Sequence, residues 1–170
     1  MDLNVGGRCA NLRHVAEAQY GINVLLKKGY EPLIDIDWLS DLAARALESE
    51  GVGRPAEISL VITDDREIKA LNRKFAGEDH ATDVLSFPMV HLTELEKAGF
   101  VAPPDEVRHL GEVVISYETA SRQAAEHGKA VEDEIAHLLF HGILHVLGYD
   151  HAEAQEEATM RAREEALLGA

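Results

Sequence analysis

Apolar positions along the chain recur with two different spacings, and the changes of spacing mark out strands and helices in turn. Ile22-Asn-Val-Leu-Leu reads as a strand ended by Gly29 and Pro32. Over residues 38–50, Leu39, Leu42, Ala43, Ala46 and Leu47 form a helical stripe, with Asp35 or Asp37 as its cap. Glu57-Ile-Ser-Leu-Val-Ile alternates and then runs continuously apolar, which predicts a second strand before a helix capped by Asp64. That helix, over residues 65–75, is expected to bury Ile68, Leu71 and Phe75 while Arg66, Lys69, Arg73 and Lys74 crowd its other side. Thr82-Asp-Val-Leu-Ser-Phe-Pro88 is a short strand whose closing proline suits a sheet edge.

Residues 89–108 hold Gly99 and Pro103-Pro104 without a persistent period, so they are expected to form a long loop of the kind that often serves as a lid or binding element. A strand over residues 109–116 and a helix over 117–126, ended by Gly128, come next. The following helix, residues 131–147, opens with Glu132, Asp133 and Glu134, which suit the positive end of its dipole. Beyond that turn, Ile135, Leu138, Leu139, Phe140, Ile143, Leu144, Val146 and Leu147 surround it with apolar groups and predict burial on most sides. A charged, amphipathic helix over residues 154–168 closes the chain. Residues 1–21 show no sustained period and are read as an N-terminal extension to a single domain spanning 22–170.

Chemistry concentrates at the end of the buried helix, in His141-Gly-Ile-Leu-His145-Val-Leu-Gly-Tyr-Asp-His151. Two histidines four residues apart stack on one helical face, close enough to grip one ion. Gly148 stands where a left-handed cap would bend the chain back and return His151 to the same ion. Three neutral imidazoles leave the fourth tetrahedral position of zinc open, which is the arrangement of a catalytic site and not a structural one. His137 continues the stripe a turn earlier, but a fourth histidine would close that position. The spacing equals that of the zinc-protease signature H-E-x-x-H-x-x-G-x-x-H, except that Gly142 replaces the glutamate that acts as general base. The metal ligands stay and the peptidase base is lost. Zinc lowers the pKa of bound water to about 7, so a hydroxide nucleophile is available at neutral pH without that base.

Composition narrows the setting. A chain of 170 residues with 46% hydrophobic content suits one globular domain with a substantial core. Cys9 is the one cysteine, so no internal disulfide forms, and neither a membrane-spanning run nor a secretory signal is expected. A reducing cytoplasm fits these features. The net charge of −15 argues against broad attraction to nucleic acid, so any RNA-binding surface must be local, and Arg66, Lys69, Arg73 and Lys74 form the compact basic cluster.

With strands and histidines in hand, the chain resembles the YbeY family of bacterial metal-dependent endoribonucleases over roughly residues 58–151. The resemblance is carried by Leu71-Asn72, Thr82-Asp-Val-Leu-Ser-Phe-Pro88, Leu110-Gly111-Glu112 and, above all, His141-Gly-x-Leu-His-x-x-Gly-Tyr-Asp-His151. It implies a single α+β domain, a small mixed β-sheet flanked by helices, with one zinc ion on His141, His145 and His151 of the central buried helix and the bend after it. It also implies ribosomal RNA and small ribosomal subunit components as partners, in rRNA maturation and ribosome quality control. Arg73, Lys74 and Ser86 are the candidate RNA contacts. The family pattern has an arginine directly after the aromatic residue of the basic helix, where this chain has Ala76, and Glu112 stands where many relatives carry aspartate. A zinc peptidase or other metal-dependent hydrolase, and a non-catalytic ribosome-associated metal-binding protein, are the competing readings.

Overall fold

The computed structural model describes residues 8–10, 20–53, 55–89, 107–150 and 154–169. Most of the long loop expected over residues 89–108, and His151, lie outside them. In chain order the elements are β1 (Arg8–Ala10), β2 (Tyr20–Lys27), α1 (Ile36–Ser49), β3 (Ala56–Thr63), α2 (Asp65–Ala76), β4 (Val84–Pro88), β5 (Arg108–Ser116), α3 (Tyr117–His127), α4 (Val131–Val146) and α5 (Ala154–Leu168). The strands form one sheet in the order β1-β2-β3-β5-β4. β2, β3 and β5 run parallel, while β1 and β4 are antiparallel to their neighbours. The fold is therefore α+β with a mixed sheet, as the resemblance implies. The sheet reaches back into the first 21 residues: Arg8–Ala10 pairs with β2, and Tyr20 is buried, donating its hydroxyl to Val52 O at 2.7 Å.

The expected caps appear where short polar side chains precede helical stripes. Asp35 accepts from the amides of Asp37 and Trp38, and Asp64 accepts from that of Glu67. Lys27 donates to Asp64 Oδ2 at 2.5 Å. Desolvation is the largest influence on Asp64 and raises its pKa, but the bonds from Lys27 and the Glu67 amide together outweigh it and hold the group below the usual carboxylate value.

The two faces of the sheet are covered unequally. On one face Ile58, Leu60, Ile62, Val113 and Ile115 pack with Leu39 and Leu47 of α1 and with Ile135, Leu139, Phe140 and Ile143 of α4 in the main core. On the other face, among the described residues, Val61 and Val114 meet only Ile68 of α2 as a fully buried partner. This asymmetry explains the pattern of β3. Glu57 and Ser59 alternate with buried Ala56, Ile58 and Leu60, and the strand becomes buried on both faces from Leu60 onward, where Val61 joins the smaller cluster under α2.

One expectation needs correcting. Phe75 is 59% exposed, although it shares the helical stripe of Ile68 and Leu71. The stripe holds for the first two turns, where α2 has β5 beneath it. At its last turn α2 lies over edge strand β4, and Phe75 meets the ring of Phe87 there, with centroids 5.2 Å apart. In place of Phe75, the other buried residue of α2 is Asn72, whose side chain donates to His80 O at 3.0 Å and ties the helix to the turn leading into β4.

Candidate metal centre

α4 is the central helix of the main-core face, touching β4, β5, α1, α3 and α5. Its approach to the sheet is set at Gly142. A Cβ there would lie 2.5 Å from Val113 Cγ1 and 3.2 Å from Val84 Cγ2, so only glycine lets the helix lie this close. Ser86 of β4 donates its hydroxyl to Gly142 O at 3.1 Å and fastens the same turn to the sheet edge. The residue that would be a peptidase base is thus a packing contact.

His141 and His145 leave α4 on a different side, and their Nε2 atoms converge to 3.1 Å. Two imidazole nitrogens held tetrahedrally at the zinc–nitrogen distance lie about 3.3 Å apart, so the donor pair fits that ion. His141 remains partly open to solvent, with 31% of its side chain accessible. Behind it, Nδ1 lies 2.6 Å from Oε1 of Glu164, a buried carboxylate on α5. With the carboxylate as acceptor, Nδ1 donates this bond, and Nε2 of His141 is turned toward His145. This is the carboxylate–histidine arrangement that orients metal ligands.

Glu164 was not among the sequence candidates. A signal for it exists: Met160, Glu164 and Leu167 are the buried positions of α5, so Glu164 is an acid on the apolar stripe of an otherwise charged helix. His137 lies beside the pair without joining it. Its Nε2 is 3.6 Å from Glu164 Oε2 and its Nδ1 is 3.7 Å from Glu134 Oε1.

The expected bend after α4 is built as predicted. Gly148 has φ +101, its amide donates to His145 O at 3.0 Å, and the Tyr149 amide donates to Leu144 O at 3.0 Å, the two bonds of a Schellman cap. Tyr149 then donates its hydroxyl to Glu50 Oε2 at 2.6 Å, which pins the bend to the end of α1. That bond and burial push the phenol above its ordinary pKa. His151 follows two residues later, outside the described residues. Among those described, no group of three or more His, Cys, Asp or Glu side chains is arranged to hold a metal.

The candidate RNA contacts are dispersed. Arg73 and Lys74 are exposed on the last turns of α2, and Ala76, also exposed, ends that helix. Ser86 is half-buried on β4, with its hydroxyl engaged by Gly142 O. Glu112 is half-buried on β5, opposite Phe87 of β4.

Known proteins resemble this chain in sequence and in fold. A family model described as Endoribonuclease YbeY matches residues 32–170. A protein named Endoribonuclease YbeY from Roseiflexus castenholzii is 43% identical over 155 residues, covering 91% of this chain and 94% of its own length. Another of that name from Dehalococcoides mccartyi is 42% identical over 152 residues, covering 86% and 94%. A solution structure of a Thermotoga maritima protein superposes with a TM-score of 0.57 at 26% identity, over 86% of each chain. Among the described residues no helix is long and apolar enough to cross a membrane. A match over most of its length, and relatives at about this level of identity along nearly their whole sequence, place the chain in the YbeY endoribonuclease family.

Proposed function

We propose that the chain is a zinc-dependent, single-strand-specific endoribonuclease of the cytoplasm, acting in ribosomal RNA maturation, including the 3′ end of small-subunit rRNA, and in ribosome quality control. In this reading His141, His145 and His151 hold one zinc ion per chain. The observation that carries it is the convergence of His141 Nε2 and His145 Nε2 to 3.1 Å, backed by Glu164, in a chain whose named relatives are endoribonucleases. When bound, zinc supplies Lewis acidity toward a phosphoryl oxygen and acidifies water.

The chain's own residues provide the rest. Glu164 holds the Nδ1 proton of His141 and keeps Nε2 available as a donor. Gly142 leaves no room for a glutamate base, which argues against peptide hydrolysis. Arg73 and Lys74 supply fixed positive charge for phosphates of ribosomal RNA in its small-subunit setting, and Ser86 steadies α4 at the sheet edge. The test is incubation of single-stranded ribosomal RNA and of casein with the purified protein, with and without a chelator, alongside elemental analysis. Chelator-sensitive RNA cleavage and about one zinc per chain are expected. Casein cleavage, or ribosome association without turnover, would overturn the reading.

A further inference from the structure

Among the described residues, Phe75 is the only aromatic side chain among the exposed large hydrophobics. Leaving such a ring in water forgoes about 1.5–3 kcal/mol relative to burying it, so its surroundings are informative. Lys74 Nζ lies 5.1 Å from its ring centroid, and Phe87 packs against it at an interplanar angle of 67°. Beside it, Arg66, Lys69, Arg73 and Lys74 border a shallow basin of about 450 Å³, with Asp79 as the single acid at its rim. Lys69 approaches that acid at 3.9 Å. The arginines at the two ends of this stripe are separated by about 10 Å of helix axis. In a chain of net charge −15, this is a basic track that ends on an aromatic ring.

We propose that Phe75 is a stacking platform for one base of single-stranded RNA whose phosphates follow the α2 cations; this rests on the ribonuclease reading above. A second copy meeting this face with the same face would bring the same cations and be repelled. A duplex keeps its base faces inside the stack, whereas an unpaired strand offers both a π-face and phosphates. The platform also has a direct relation to the histidine pair. Successive residues of β4 face opposite sides of the sheet, so Phe87 meets Phe75 under α2 while Ser86 bonds to Gly142 O, next to His141. Among the described residues, the edge strand β4 lies between a base on Phe75 and the helix that carries the histidines. The platform thus makes Phe75 a determinant of single-strand preference, acting by position and without touching the reacting phosphate.

The test compares the native protein with Phe75→Leu and Phe75→Tyr, binding a fluorescent single-stranded RNA of about 12 nucleotides, within the span of such sites, with the signal read before turnover. Phe75→Leu is expected to weaken binding about tenfold, within the range of one stacked base, and Phe75→Tyr to retain it. The dependence of affinity on salt should be the same for native protein and Phe75→Leu, since no charge is removed. An oligomer abasic throughout should bind both equally. Equal affinity of native protein and Phe75→Leu for the base-bearing oligomer would overturn the proposal, as would a loss that persists on the abasic one. Loss of ribosomal subunit association with oligomer affinity intact would overturn it in favour of a protein partner. If the native protein neither binds nor cleaves RNA, the ribonuclease reading itself fails, an outcome separable from these.

Discussion

The two helices that lie against the β4–β5 side of the sheet solve opposite problems. α4 is buried nearly all round, enters the sheet at a glycine and presents histidines whose geometry is held by Ser86 on one side and Glu164 on the other. α2 covers the reverse face with one fully buried apolar side chain, spreads cations along its outer side and ends on an exposed phenylalanine. The first is packed to hold small distances. The second is anchored by polar bonds at its start and leaves its far end available. Close packing is placed where nitrogen atoms converge, and open surface where the cations and the exposed ring lie.

The largest effect is expected from disturbing the tight side. Gly142→Ala places a methyl group 2.5 Å from Val113 Cγ1, and overpacking of this kind typically costs about 1–3 kcal/mol. Gly142→Glu should exceed that and leave little folded protein. Urea unfolding measures both, and Val113→Ala in the Gly142→Ala background should restore part of the loss because it removes the clashing methyl group. An unaltered midpoint in Gly142→Ala would show that α4 is free to shift outward.

Next comes the open side. Arginine offers a rigid cationic fork that a methyl group lacks, and loss of one such donor elsewhere costs roughly a hundred- to thousandfold in rate. Ala76→Arg is therefore expected to accelerate single-turnover RNA cleavage by about a hundredfold, with metal content unchanged. No acceleration would mean that Arg73 or Lys74 already fills the role.

Glu164 tests whether the tight side depends on its support. Glu164→Ala should weaken zinc binding, measured by competition with a chelator, by roughly ten- to a hundredfold, with Glu164→Gln between it and the native protein. Native affinity in Glu164→Ala would reduce the pair to a packing contact.

The smallest effect belongs to the anchor of α2. Asp65 accepts from Ser116 Oγ at 2.5 Å, Thr119 Oγ1 at 2.6 Å and Arg122 at 2.8 Å. Desolvation is the largest influence and raises its pKa, but the three bonds together outweigh it and hold the carboxyl below its ordinary 3.8. The folded value lies below the unfolded one, so the contribution is present at neutral pH and is lost as pH falls through the range below 3.8. Asp65→Asn should be destabilised by about 1 kcal/mol at neutral pH, with the difference closing under acid. A pH-independent difference would assign the effect to shape instead of charge.

Legibility in the sequence followed the range of the forces involved. Caps at Asp35 and Asp64, the Schellman turn at Gly148 and the edge position of β4 were readable because each depends on residues adjacent in the chain. Burial of Phe75 was misread because helical period reports which side a residue faces and not whether the sheet extends far enough to cover it. Glu164 was missed because its partner lies 23 residues away, across a helix packing that no local pattern encodes. The sequence displays the base that Gly142 lacks, while its contact with Val113 joins a helix and a strand that no local pattern relates.

That contact also bears on descent. A single substitution at position 142 would complete the protease signature, so by sequence the two chemistries are immediate neighbours. By shape they are far apart, because the side chain that confers one activity has no space in the fold that supports the other. A lineage crossing between them would first have to make room beside Val113 and Val84, so the barrier that keeps this helix from becoming a peptidase is steric before it is chemical.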